Sequence, residues 1–326
     1  MGFRYGTSSS SLTKNITCSN CNGTASAFGA DVTDLTAGTE YYVQAYVQVS
    51  GQTFTGAVTS FKTESVPVSA VSGKSWLELP GAVSNGNYLV NTYYDDSEND
   101  ANRNYTHCYD KSTYTSLWTA YHLNSGHLGT GRSDDWSYSP KIDTKYQVDL
   151  VSHSYNDGYS KGHMIPNASR NANSTMQSQT FYVTNAVPQI QNAFNASIWA
   201  ALEGALQSIG KSEEIYIVTG VCFNKAGESK TVNYTTAKDD SKSVPVPNYF
   251  YKVVLKVEKL GGTVTSAKTI GFWFEHKEYE NSTYSNYAVS VNQIEEWTGF
   301  DFFVNLPDNV EATAETNSNW TAFQNF

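Results

Sequence analysis

Cysteine is scarce, with four in 326 residues. Cys18 and Cys21 form a CxxC, but a zinc site needs a second pair at close spacing, and Cys108 and Cys222 stand far apart in stretches that read as strands. A local disulfide or free thiols in a loop is the reading that remains. Charge is scarce too: 16% of residues are charged, and 21 Lys and Arg face 31 Asp and Glu, for a net charge of −10. Residues 1–65 carry three basic and four acidic side chains, so about −9 belongs to the rest. That excludes binding through a broad basic face and leaves only local phosphate contacts for any nucleic-acid partner. No apolar run approaches the ~20 residues of a membrane span. No signal peptide follows Met1, and no internal repeat is evident.

Several motifs are absent by a single requirement. Gly73-Lys74-Ser75 ends like a phosphate loop, but the glycine needed five residues earlier is Val68. The acidic loop from Asp95 to Asp100 lacks the central glycine and terminal glutamate of a calcium hand. No nucleophile elbow supports a serine hydrolase.

What is present is aromatic and polar. Aromatics are 14% of the chain, with 23 Tyr, and Asn, Ser and Thr are abundant. This profile suits a β-rich protein that is secreted or attached to a cell surface. Residues 1–63 resemble the back part of a fibronectin type III-like sandwich. Leu35 to Tyr41 is similar to that family's turn into a late strand, with Tyr41 as its corner tyrosine, and Val43, Ala45, Val47 and Val49 alternate with polar or aromatic partners. A whole domain of this kind needs about 100 residues. This one reads as cut short, so a native signal segment is expected outside the chain. The sandwich is expected to act as a spacer. Residues 64–75 read as a linker, and 76–326 as the second domain. There, Ile215 to Phe223, Tyr249 to Val257 and Thr269 to His276 read as strands. Asn224 to Asn248 reads as a polar surface loop, and Ser290 opens a short helix that stops at Gly299. His107 and His122 read as packed strand residues, while His127 and His153 fall in loops.

The chain is organised around Tyr159 to Glu203. YSKGHMIP places Lys161 and His163 on either side of Gly162, on an extended segment. Phe194, Ile198, Leu202, Leu206 and Ile209 then fall at helical spacing, with Gly210 as a stop. A neutral base, an amide oxygen at Asn195 and a carboxylate at Glu203 suit phosphodiester hydrolysis. GHMIP followed by NAFNASIWAALE resembles the DNA/RNA non-specific endonucleases, whose site is the ββα-metal (His-Me) finger. Further blocks occur in the right order: Leu117 to Leu123, Arg132 with Trp136 and Pro140, Val244 to Leu255, and Ser290 to Asp308. The resemblance covers about residues 76–320.

The resemblance implies an α+β domain with a mixed or antiparallel sheet, and a metal-dependent endonuclease acting on DNA and RNA. It implies Mg2+ as cofactor, with Mn2+ as a substitute. His163 is the expected general base, since neutral imidazole accepts a proton near neutral pH; the competing reading is a structural histidine. Asn195 is the expected metal ligand; its rival role is a helix N-cap. In a straight α-helix Glu203 lies about 12 Å along and about 80° around from Asn195. It therefore takes an outer role, holding one of the cation's waters, against the alternative of a solvated carboxylate. Arg132 resembles the family's upstream arginine and its fork suits a phosphate. The family's Asp-Arg-Gly-His reads Ser160-Lys161-Gly162-His163 here, so Lys161 keeps the charge without the bidentate geometry. Arg170 is expected either to contact the substrate backbone or to form a salt bridge in its loop. The competing function is a weakened nuclease-like domain that serves in binding or adhesion.

Overall fold

The computed structural model describes residues 1–18, 28–30, 32, 35, 39–63, 69–96 and 98–326. The chain divides into two compact units, Met1–Pro67 and Val68–Phe326. The first holds an antiparallel sheet of β1 (Gly2–Gly6), β2 (Lys14–Thr17), β3 (Glu40–Val49) and β4 (Gln52–Lys62), in the order β2-β1-β3-β4. Ser50 and Gly51 both take positive φ and close the β3–β4 hairpin in a two-residue turn. Tyr41 is buried and stacks on Phe61. The expected alternation along β3 is blurred: every residue from Tyr42 to Val47 stays partly exposed. Among the described residues this unit is one sheet, with no second layer to bury a face of β3. Most of the Leu35–Tyr41 turn, and Cys21 of the CxxC, lie outside the described residues; Cys18 is disulfide-bonded.

The second unit begins earlier than the sequence suggested. Ser69 pairs with Gly81 and the Ala70 amide donates to the Pro80 carbonyl, so residues 69–75 pack on this unit and are not linker. Its frame is an antiparallel sheet that includes β5 (Tyr88–Tyr94), β6 (Arg103–Asp110) and β7 (Thr115–Leu123). Outside it lie the pair β8 (Tyr159–His163) and β9 (Ala186–Ile190). The sheet resumes at β10 (Ile215–Cys222), passes the small pair β11 (Tyr234–Thr235) and β12 (Val244–Pro245), and ends with β13 (Tyr249–Leu260), β14 (Thr263–Glu275) and β15 (Ala288–Val289). The seven-stranded order is β15-β14-β13-β10-β7-β6-β5.

Strands β7 and β10 are buried along their whole length because both faces are covered. Tyr121, Leu123, Ile215, Ile217, Phe250 and Val254 meet the helical layer through Phe194, Ile198, Leu202 and Leu206. Trp118, Ala120, Val218, Tyr251 and Val253 face the other way, onto α3 (Val291–Thr298) and Phe302, numbering α1 as Ser174–Thr180 and α2 as Ala200–Gly210. Ser290 caps α3 by accepting from the Gln293 amide, and Gly299 ends it in the left-handed region at φ 72°. The C-terminal helices are α4 (Asp308–Ala314) and α5 (Trp320–Gln324).

Two expectations change. Asn224 to Asn248 is not merely a surface loop: Ala237 and Val244 are buried against Val148, Leu150 and Tyr155. Gly210 does not stop α2 by turning left-handed. It is the last residue of the helix, and a Cβ there would press on the Leu123 side chain at 2.9 Å, so glycine lets α2 approach β7.

Candidate active site

The site is built from β8, β9 and the helix that follows. The two strands pair antiparallel, with Lys161 opposite Pro188, Gly162 opposite Val187 and His163 opposite Ala186. Only glycine fits at position 162, because a Cβ there would overlap the Gln189 side chain. Lys161 and His163 share the strand face on the other side. At the far end of β9 the Ile190 amide donates to His276 Nε2 at 2.9 Å, and His276 Nδ1 meets the Pro247 carbonyl at 2.9 Å. That clamp fixes where the helix begins.

The helix is not uniform. Gln191–Trp199 is π-helical and leads into α2, with a break at Ser197 (φ −125°, ψ −105°). The break lies between Asn195 and Glu203, so the ~80° expected of a straight α-helix does not hold there. Both side chains line the same cleft, of about 730 Å3. Asn195 lies inside the π-helical segment and is not its N-cap, so the capping reading is excluded. Its Nδ2 donates to Gln191 Oε1 at 3.1 Å, and Oδ1 meets no partner among the described residues.

Arg132, Lys161, His163, Asn195 and Glu203 all border this cleft, with Asp134, Trp136, Ser160 and Gln191 between them. His163 packs between Trp136, at 4.9 Å, and the edge of Phe181, at 5.1 Å. Burial, with the nearby charge of Arg132, holds its pKa down to about 3, so the ring is neutral at physiological pH. Lys161 reaches over the Trp136 ring at 4.2 Å and donates to the Leu150 carbonyl at 2.9 Å. Ser160, in place of the family's aspartate, donates to the Gln189 carbonyl at 3.0 Å. The half-exposed Arg132 pairs with Asp134 at 3.0 Å and lies over Phe181 at 4.9 Å.

Arg170 is a correction. Its side chain is fully buried, and its guanidinium donates to Asn104 Oδ1 and to the carbonyls of Asn104, His122 and Ser169. It ties β6 to β7 and to the loop after β8, and among the described residues it neither borders the cleft nor forms a salt bridge. His107 is buried between Ser116 and Tyr93, and His122 is buried as well. His127 Nδ1 accepts from the Asn124 amide, and His153 lies 3.7 Å from Asp239.

Sequence reasoning missed Gln191, Asp134 and Lys252. The Lys252 Nζ sits 3.5 Å from Glu203 Oε1. Burial pushes Glu203 up and Lys252 down to about 8, each offset in part by the other. One sequence signal was there: Lys252 falls two residues from Phe250 and from Val254, on the apolar side of a strand, where a charge needs a partner.

Among the described residues no group of three or more His, Cys, Asp or Glu could hold a metal ion. The fitting donor is the unpartnered Asn195 Oδ1, a hard neutral oxygen in a cleft that also contains the Glu203 carboxylate; this set suits a hard cation that keeps most of its waters.

Residues 83–309 match the model of the DNA/RNA non-specific endonucleases. Nuclease C1 of Cunninghamella echinulata var. echinulata is 30% identical over 212 residues, which is 62% of this chain and 81% of that protein. A nuclease of Nostoc sp. is 28% identical over 218 residues, 65% of this chain and 75% of its own. The solved EndoG/EndoGI complex contains a chain that superposes with a TM-score of 0.55 at 21% identity, covering 68% of this chain and 88% of that one, a likeness of fold. From the order of its sequence blocks to the pairing of β8 with β9 beneath a helix, and with the family match spanning well over half its length, the chain belongs to the DNA/RNA non-specific endonuclease family.

Proposed function

We propose that the protein hydrolyses phosphodiester bonds in DNA and RNA with little sequence preference, using Mg2+, with Mn2+ able to replace it. The observation that carries this is the convergence of Arg132, Lys161, His163, Asn195 and Glu203 on one cleft. His163 takes the proton of the attacking water, which its neutral ring can accept. Lys161 and Arg132 supply positive charge at the phosphate. Asn195 Oδ1 would hold the cation, and Glu203 would order the water that the cation keeps. When bound, the cation contributes Lewis acidity to the phosphate and the departing oxygen. With a net charge of −10, substrate binding rests on these local contacts. The weakened, adhesive reading finds no support, since every one of these side chains is retained in the cleft. The composition supports a secreted or surface-attached protein.

The test is cleavage of supercoiled plasmid and of RNA with Mg2+ or Mn2+, with and without EDTA, alongside Asn195→Ala. Both substrates should be cut, EDTA should abolish cutting, and Asn195→Ala should shift activation to higher Mg2+. Wild-type cleavage that persists in EDTA, or an Asn195→Ala activation curve identical to wild type, would refute the assignment.

A further inference from the structure

The part of the site that the sequence did not show is the floor beneath Glu203. We propose that Lys252 is a positioning residue: from the sheet it fixes the Glu203 carboxylate at the cleft, so that Glu203 can order the cation's water shell. The inference rests on the function proposed above and adds a component to it.

Lys252 is on β13, facing the helical layer between Phe250 and Val254. Its side chain is wholly buried. The ammonium has three contacts: Thr219 Oγ1 at 2.8 Å, Glu203 Oε1 at 3.5 Å, and the face of the Trp199 ring at 4.3 Å. Thr219 is directly opposite Lys252 in the β10–β13 ladder, so the threonine and the indole hold Nζ in place before Glu203 is considered. Packing alone gives no reason for a cation here, since methionine would fill a similar volume without the cost of desolvating a charge. What the cation gains is Glu203, whose side chain keeps 16% exposure and opens on the cleft. One oxygen of that carboxylate thus lies 3.5 Å from the sheet's ammonium, while the side chain still borders the cleft. Glu203 comes from α2 and Lys252 from a central strand, so the pair ties the helix to the sheet beside the cleft that Asn195 also lines.

The experiment compares the wild type with Lys252→Met, Glu203→Gln and the double variant Glu203→Gln/Lys252→Met. Two quantities are measured: binding of Mn2+ alone, from the electron paramagnetic resonance of the free ion, and kcat with KM for plasmid cleavage. If Lys252 acts through Glu203, Lys252→Met weakens Mn2+ binding or lowers kcat by about 10–100-fold, the usual effect of losing an outer partner of a metal site. KM for DNA should change little, and the double variant should be no worse than Glu203→Gln. Lys252→Met could fail to fold, because it buries an unpaired carboxylate. The double variant buries no charge and carries the test alone: equality with Glu203→Gln supports the inference, and a further loss of Mn2+ binding or kcat overturns it. A folded Lys252→Met with wild-type Mn2+ binding and kcat also overturns it while leaving the nuclease function intact. A wild type that neither binds Mn2+ nor cuts overturns the function and this inference together.

Discussion

His163 owes its neutrality to its surroundings, with Trp136 on one side and the edge of Phe181 on the other. With its pKa near 3, the ring of the free enzyme stays unprotonated well below the ordinary histidine range. Protonation would remove its ability to accept a proton, so loss of activity through His163 should set in only as pH falls towards 3. In a proton NMR titration of the free protein the His163 ring signal should stay constant from pH 8 to 5; a sigmoid centred near 6.5 would show the ring open to water. His163→Ala should reduce turnover by about 10²–10⁴ at saturating substrate. Arg170 should behave in the opposite manner. Arg170→Ala leaves Asn104 and three carbonyls without their donor, so it should cost on the order of 3 kcal/mol in denaturant unfolding. Activity per folded molecule should hold near wild type; a variant of wild-type stability with weakened DNA binding would return Arg170 to the substrate. Lys161 and His163 were legible because they flank Gly162 in one short motif. Arg170 was not, because a sequence displays a charge without its burial.

At the scale of the element, the phase of the helix decides whether Asn195 and Glu203 serve one site. Phe194, Ile198, Leu202 and Leu206 advance in three successive steps of four with none of three. One of these steps, Leu202 to Leu206, lies inside the regular α2, so the spacing did not mark the break at Ser197. Inserting one alanine beside the exposed Ala196 should add about 100° of helical rotation between Asn195 and Glu203. The buried Leu202 and Leu206 remain on α2, so the melting temperature should fall by only a few degrees, whereas cleavage should drop more than about 100-fold. An insertion variant that cuts at the wild-type rate would show that the two residues need not face together. The strands were read with better success. Their runs are mainly apolar and aromatic, and the limits of β10 and β13 fall within a few residues of those expected.

For the whole molecule, two sets of buried groups pull stability in opposite directions. Burial lowers His107, His127 and His163 to about 3, His276 to about 4, and His122 well below its usual value. Below about pH 6.5 the unfolded chain binds protons that the folded chain refuses, so this part of the stability is lost as pH falls. Glu311 is raised to about 7, and Glu295 and Glu315 are raised as well, by burial first and then by nearby carboxylates, Asp301 among them. These carboxyls keep protons that the unfolded chain releases above about 4.5, so their contribution is lost as pH rises through their folded values. The two sets therefore oppose one another between about pH 4.5 and 6.5, and above about 6.5, where the histidines no longer differ between the states, the carboxyls should lower stability as pH rises. Melting temperature measured from pH 4.5 to 9 checks this, and Glu315→Gln should flatten the alkaline decline. A steady rise through pH 9 would mean that these carboxyls are ionised in the fold. Neither set could be seen in the chain beforehand, since depth of burial depends on which strands pair, over separations such as that between β7 and β10.

The cysteines are divided between the two units. Cys18 is in a disulfide, whereas Cys108 and Cys222 are free thiols buried in the sheet of the second. Burial also pushes both thiols up to about 12, far from the reactive thiolate. A thiol reagent added to the native protein therefore finds these two sulfurs only when the β-sheet opens. The labelling rate of Cys108 and Cys222 becomes a clock for the opening of the nuclease unit, read without a mutation or an attached dye, while Cys18 stays silent in its disulfide.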